Sequence, residues 1–439
     1  MGLYFGTDGI RGKVNQDLTV EIAEKIGNAL STLKTNPTII VGADTRVSNT
    51  YLALGVAIGA MKGGANVIDI GVCPTAGIAF ITKTIKADYG VVISASHNSG
   101  EYNGIKVFNG DGYKLGDKEE ERIERCFIHE KVTDFPNVGK YEQDFSLLKL
   151  YKNYLTDASE NSLKGVKIVL DCAYGAAHRI APEVFRSLGA DVVATSCIND
   201  GLKINENCGA LYPETLVKRV LRYGADMGFA FDGDADRLIA VDEKGQIIDG
   251  DQIIYALALY YKKQGKLHGN AVVGTRHTNM AIEEALKKND IELIRTDIGD
   301  KYVLAKLLEK NLTIGGEQSG HIILTDKGTT GDGILSAITL ANMVISEKKK
   351  MSDVVSVKLF PQTNKNVLVA DKFHVMNNEQ LNDEIAKYTN ELSGKGRIML
   401  RASGTEPKIR VMVESKDSAL NENIAKTLVS LIEKIDKGI

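Results

Sequence analysis

The chain has 439 residues, too many for one hydrophobic core, so about three or four domains are expected. An apolar share of 43%, a charged share of 25% and a net charge of -3 are those of a water-soluble globular protein and offer no electrostatic attraction to nucleic acid or an anionic membrane. Cys73, Cys126, Cys172, Cys197 and Cys208 include no CxxC spacing, and neither an apolar leader, a membrane-length run nor a myristoylation signal (Gly6 stands where Ser or Thr is needed) occurs, so a soluble cytoplasmic protein with reduced thiols is expected.

In chain order the predicted elements repeat three times. An apolar strand (TIIVGADTR, VKIVLDCAYG, AVVGTRHT) leads through a helical stretch to a second strand (GGANVIDIG, LGADVVATS, NDIELIRTD). The second strand comes after a chain-turning segment, and a third strand follows it, ending in a polar loop: YGVVISASHN, MGFAFDGDADR, LTIGGEQSGH. Strands alternating with helices predict three similar α/β domains with mixed, largely parallel sheets. After Phe360 the pattern changes to a helical stretch near LNDEIAKYTNEL, a strand, loop and strand over RIMLRASGTEPKIRVMVES, and a final helix: a smaller C-terminal α+β domain. The expected boundaries are 1–150, 151–250, 251–360 and 361–439.

Each third strand delivers its loop at a carboxyl end, where open α/β sheets bind ligands. In the first loop Ser96 precedes His97 and Asn98. A serine oxygen is a poor nucleophile unless activated or already carrying a transferable group, and no G-x-S-x-G elbow surrounds it. Taken alone Ser96 reads as a structural hydroxyl and Lys106 as a surface lysine. In the second loop Asp232, Asp234 and Asp236 recur at every second position, which in an extended segment puts three carboxylates on one face, suited to Mg2+. The alternative is a solvated acidic turn; Arg237 directly after the acids favours a metal shared with a phosphate. The third loop offers Glu317, Ser319 and His321 among glycines, types that hydrogen-bond sugar hydroxyls, or else form a polar turn. The fourth segment sets Arg401, Ser403, Thr405 and Arg410 around Gly404, donors able to surround a phosphate, although either arginine would also serve in a structural ion pair.

FGTDGIRG, SASHN, DGDADR, GEQSGH and RASGTEPKIRVMVE, in that order along nearly the whole chain, resemble the α-D-phosphohexomutase superfamily and, in their wording, its bacterial amino-sugar branch. The resemblance implies four domains around a central active-site cleft, Ser96 as a phosphoserine, and Mg2+ held by that phosphoserine with Asp232, Asp234 and Asp236. It implies sugar contacts at Glu317 and Ser319 and a phosphate clamp in the fourth domain. Arg11, Lys106, Arg237 and His321 fall near the reacting phosphoryl group, with His97 beside the serine, and Lys106 and His321 are the candidates for proton transfer. The implied reaction interconverts glucosamine 6-phosphate and glucosamine 1-phosphate through a hexose 1,6-bisphosphate, feeding UDP-N-acetylglucosamine and cell-wall synthesis, in a homodimer. A phosphomannomutase or phosphoglucomutase, a metal-dependent phosphatase and a sugar-phosphate sensor are the alternatives. Two positions depart from the usual pattern: Ser99, where the family often has Pro, and Ala235, where it often has Gly.

Overall fold

The computed structural model describes residues 4–6, 8–128, 138–403 and 407–438. The chain divides into two compact units, Met1–Thr278 with Leu286–Ser356, and Asn279–Ala285 with Val357–Ile439.

The first unit carries three sheets. Strands β1 (Ile10–Lys13), β2 (Thr38–Ala43), β3 (Asn66–Val72), β4 (Tyr89–Ile93), β5 (Tyr102–Asn109) and β6 (Tyr141–Gln143) assemble in the order β1-β5-β4-β2-β3-β6. Strands β7 (Lys167–Asp171), β8 (Asp191–Thr195), β9 (Met227–Phe231), β10 (Leu238–Asp242) and β11 (Ile247–Ile248) follow in the order β11-β10-β9-β7-β8. Strands β12 (Ala271–Thr275), β13 (Glu292–Thr296), β14 (Ile314–Gly316) and β15 (Ile322–Leu324) form the third, β13-β12-β14-β15.

One plan underlies all three. The first strand of each repeat pairs in parallel with the second and the third: β2 with β3 and β4, β7 with β8 and β9, β12 with β13 and β14. The strand that follows the polar loop returns antiparallel: β5, β10 and β15. The sheets are therefore mixed and largely parallel, as the alternation of strands and helices predicts. Central strands such as β9 and β12 are buried along their whole length, so they read as continuous apolar runs without alternation. The returning strand is harder to read. Strand β5 buries Asn103 and Lys106 at 0% and 1% exposure, and polar residues inside a buried strand break the apolar pattern.

The second unit is an antiparallel sheet of β16 (Gln362–Leu368), β17 (Gly396–Ala402) and β18 (Lys408–Ser415), ordered β16-β18-β17. The alternating Ile409, Val411 and Val413 of β18 share a core with Ile424, Leu428 and Ile432 of the helix Ser418–Asp436. Strand β16, an edge strand of sequence QTNKNVL, lies outside the sequence reading because its residues are mostly polar and only Val367 is fully buried. No helix among the described residues is long and apolar enough to cross a membrane.

Candidate active site

Strand β4 ends at Ile93, and three residues on the chain turns through Ser96, whose φ of 51° lies in the left-handed region that side chains disfavour. The turn aims the hydroxyl away from its own sheet. Ser96 Oγ donates to Asp232 Oδ2 at 2.7 Å and stands 3.3 Å from His97 Nδ1. Close approach of the two loops requires glycine at position 233, where a Cβ would meet the Ser96 carbonyl oxygen at 2.5 Å.

Asp232, Asp234 and Asp236 follow β9, and one carboxylate oxygen from each lies within 4.8 Å of the others. All three are buried, which excludes the solvated acidic turn. Thr75 Oγ1 and Lys106 Nζ donate to Asp234 Oδ2 at 2.7 and 2.8 Å, leaving Asp234 Oδ1 and Asp236 Oδ1 buried without a hydrogen bond. Burial, followed by the charges of Asp236 and Asp234, pushes the Asp232 carboxyl up to about 8. Crowded buried carboxylates with unused oxygens are the donor set of a hard divalent cation, so these residues fit a metal. Ala235 between them has φ 59°, a conformation glycine adopts without strain, which accounts for the usual residue at that position.

Cationic groups close the site. Lys106 is buried, not at the surface: its ammonium reaches Asp234 at 2.8 Å, Asp8 at 3.3 Å and Asp236 at 3.5 Å. Burial pulls its pKa down, but Asp234, Asp8 and Asp236 together outweigh burial and raise it. Arg11 pairs with Asp8, and Lys114 bridges Asp8 and Asp300. His321 pairs backbone to backbone with Arg237 and sets Nδ1 3.5 Å from Asp236 and Nε2 3.6 Å from Asp300. Burial opposes its protonation, and Asp236 with Asp300 overcomes burial, so its pKa is raised. Its ring lies flat against Gly331, where a Cβ would meet Nε2 at 2.4 Å. His97 behaves in the opposite way: burial, then Arg237 and Arg11, take it down to about 3 and keep it neutral. The Arg237 amide donates to Asp232 Oδ1 at 3.2 Å, and its Nε, like Arg11 Nε, is buried without a hydrogen bond.

From the third loop His321 joins this cluster, while Glu317 and Ser319 border it. Glu317 accepts the Gly299 amide at 3.1 Å and lies close enough to Arg237 to raise its pKa, after burial and the nearer aspartates have acted; Ser319 is exposed at the turn. In the second unit Arg401 and Arg410 are directly opposite on β17 and β18, and both are exposed. Like charges in cross-strand register repel, which suits an anion site. Ser403 is buried, with its amide on the Lys408 carbonyl at 2.9 Å, whereas Gly404 and Thr405 lie outside the described residues.

Sequence reasoning does not single out Asp8, Lys114 and Asp300. Asp8 sits inside FGTDGIRG, which offered a signal; Lys114 and Asp300 belong to no recognisable motif and meet only in the fold.

Four family models match in succession, described as phosphoglucomutase/phosphomannomutase alpha/beta/alpha domains I (residues 2–133), II (148–245) and III (249–360) and C-terminal domain (365–431). A phosphoglucosamine mutase of Carboxydothermus hydrogenoformans is 44% identical over 444 residues, covering 99% of this chain and 100% of the relative. Among solved structures, a phosphoglucomutase/phosphomannomutase family protein from Burkholderia thailandensis aligns over 99% of this chain and 97% of its own, with a TM-score of 0.82 at 23% identity. An N-acetylphosphoglucosamine mutase from Aspergillus fumigatus, solved with GlcNAc-6P and magnesium, aligns over 99% and 96% with a TM-score of 0.68 at 16% identity. Three similar α/β domains, a smaller C-terminal domain and full-length identity at this level place the chain in the phosphoglucomutase/phosphomannomutase family of the phosphohexomutase superfamily.

Proposed function

We propose that this protein interconverts glucosamine 6-phosphate and glucosamine 1-phosphate, with Ser96 as the phosphoryl carrier. The carrying observation is the 2.7 Å hydrogen bond from Ser96 Oγ to Asp232 inside a buried acidic cluster, in a chain 44% identical along its length to a phosphoglucosamine mutase. Phosphoserine 96 gives its phosphoryl group to the free hydroxyl of the monophosphate. The Ser96–phosphate bond breaks, the sugar oxygen–phosphorus bond forms, and the proton of that hydroxyl ends on Ser96 Oγ. The resulting 1,6-bisphosphate turns over and returns its other phosphoryl group to Ser96.

Asp232, Asp234, Asp236 and the phosphorylated serine are the proposed holders of Mg2+, the ion found with the Aspergillus fumigatus relative. Bound there, it would neutralise charge on the transferring phosphoryl oxygens. Arg237 and Arg11 have buried Nε–H groups to spend on the same oxygens. Lys106 and His321, both against Asp236, are the candidates to hold and return the exchanged proton, and His97 stays neutral beside Ser96. Glu317 and Ser319 are the proposed sugar contacts. Arg401, Ser403 and Arg410, with Gly404 and Thr405, are the proposed grip on a phosphate. Domain boundaries at 1–150, 151–250, 251–360 and 361–439, a cytoplasmic location and a homodimer complete the reading. Exposed Tyr51, Leu54 and Ile58, on one face of the helix Asn49–Lys62, supply apolar surface for such a dimer, which light scattering tests.

The family description also covers glucose and mannose phosphates. Assay of glucosamine, glucose and mannose 6-phosphates side by side tests the substrate: the amino sugar is expected to have the highest kcat/KM, and a preference for glucose or mannose would replace this reading.

A further inference from the structure

One buried cation, Arg46, has all its donors bonded and grips the loop of Ser96, with no hydrogen bond to the acidic cluster among the described residues. Arg46, in the loop after β2, has a side chain that is 0% exposed. Its guanidinium has five N–H donors, and the fold supplies five acceptors. Nε donates to Asp44 Oδ2 at 2.9 Å. Nη2 donates to the carbonyls of Ser96 at 3.0 Å and Asn98 at 2.7 Å, and Nη1 to those of Tyr102 at 2.9 Å and of Ser99. Four of the five acceptors thus belong to residues 96–102, the loop that carries the candidate phosphoserine.

Asp44 extends the same network to the other side of Ser96. Its Oδ1 is held by the Arg46 amide at 2.8 Å and Asn49 Nδ2 at 2.9 Å, and its Oδ2 accepts Ser94 Oγ at 2.6 Å. Ser94 Oγ in turn accepts the Ser96 amide at 2.8 Å. Asn205 adds a second grip on the Ser96 and Asn98 carbonyls at 2.9 and 3.0 Å. Both peptide groups of a residue at φ 51° are therefore pinned. That conformation is disfavoured for an L-residue, and the pins on both peptide groups hold it and set where Oγ points.

We propose that Arg46, Asp44 and Ser94 are positioning residues that fix the Ser96 hydroxyl in its transfer geometry, a role that rests on Ser96 being the phosphoryl carrier. Ser94 Oγ is committed to Asp44 and to the Ser96 amide, away from the acidic cluster that Ser96 Oγ meets, which gives it the positioning role and not the carrier's. Lysine cannot replace Arg46: one ammonium reaches Asp44 but cannot fork to four carbonyls. Since none of these side chains faces the sugar-binding candidates, loosening them misplaces the reacting oxygen and leaves substrate binding intact. A displacement of about 1 Å at a reacting centre costs about 100-fold in rate.

The experiment compares wild type with Ser94→Ala, Arg46→Lys, Arg46→Ala and Ser96→Ala in the full chain with Mg2+. It reads kcat and KM for glucosamine 6-phosphate per folded molecule, and the rate at which glucose 1,6-bisphosphate phosphorylates Ser96, followed by intact mass. Ser94→Ala and Arg46→Lys are expected to lose about 10- to 100-fold in kcat and in the charging rate, with KM within about threefold of wild type. Methylguanidine is expected to restore part of the activity of Arg46→Ala. Wild-type kcat in Ser94→Ala, a loss confined to KM, or a loss accounted for by the unfolded fraction would overturn the proposal. Should the Arg46 variants not fold, Ser94→Ala decides. Turnover by Ser96→Ala would withdraw the carrier reading itself, whereas an inactive Ser96→Ala beside a fully active Ser94→Ala would sink the positioning role alone.

Discussion

Ser96 Oγ and Asp232 Oδ2 lie 2.7 Å apart although 136 residues separate them in sequence. Two polar loops, each at the carboxyl end of a different sheet, meet there, so a transferable group on the serine would sit directly on the acidic cluster. Replacing Ser96 by Ala should therefore lower turnover by about three orders of magnitude or more while the fold survives, since only one buried hydroxyl is lost. Turnover and circular dichroism of the same sample check this. Near-normal turnover would remove Ser96 from the mechanism.

Asp234 tests the metal. Its Oδ2 is engaged by Thr75 and Lys106, and its Oδ1 is unspent, so Asp234→Asn can keep the hydrogen bonds of the first oxygen while losing the free carboxylate oxygen and the negative charge that faces Lys106. Turnover is expected to fall about 100-fold, and half-saturation by Mg2+ to rise about tenfold or more. An unchanged Mg2+ titration would refute the assignment.

In the second unit, Arg410 faces Arg401 across the strand pair. If the two grip a phosphate that is not reacting, that binding is present in ground and transition states alike. Arg410→Ala should then raise KM about tenfold with kcat within about threefold. Steady-state kinetics showing a loss in kcat alone would contradict the grip.

A stability prediction concerns Asp332, which caps the helix Gly333–Glu347 through the Leu335 amide at 2.9 Å and accepts the buried Tyr151 hydroxyl at 2.8 Å. Burial raises its carboxyl to about 6, above the ordinary 3.8, despite both hydrogen bonds. A folded-state pKa above the unfolded one means that the protonated form favours the fold. This contribution is complete below about pH 4 and lost as pH rises through 6. Asp332→Asn removes the titration, so the stability difference between wild type and variant should move against wild type by about 2 kcal/mol from pH 4.5 to 7. Urea denaturation of both at the two pH values measures it, and a pH-independent difference would refute the shift.

The repeat was legible because buried parallel strands are continuous apolar runs and the change to Ser, Asp or Glu marks each carboxyl end. The three aspartates were legible as a local spacing after a strand, but the segment expected to be extended is a turn, in which Ala235 takes φ 59° and the carboxylates converge by the turn and not by strand alternation. Lys106 was not, because its partners Asp234 and Asp236 lie 128 and 130 residues away and only the fold shows that its charge is matched. Arg46 was hidden further still, since its acceptors are mostly backbone carbonyls, which no side-chain pattern announces. The returning strand β5 was obscured because the buried polar residues Asn103 and Lys106 interrupt its apolar signal.

The most direct test of the central claim loads Ser96 with labelled phosphate from a hexose 1,6-bisphosphate, adds glucosamine 6-phosphate, and follows the label through a single turnover. The label is expected to leave Ser96 for the sugar, with inorganic phosphate appearing about 100-fold more slowly or less. Label passing to inorganic phosphate as fast as glucosamine 1-phosphate forms would identify a hydrolase and contradict the mutase account.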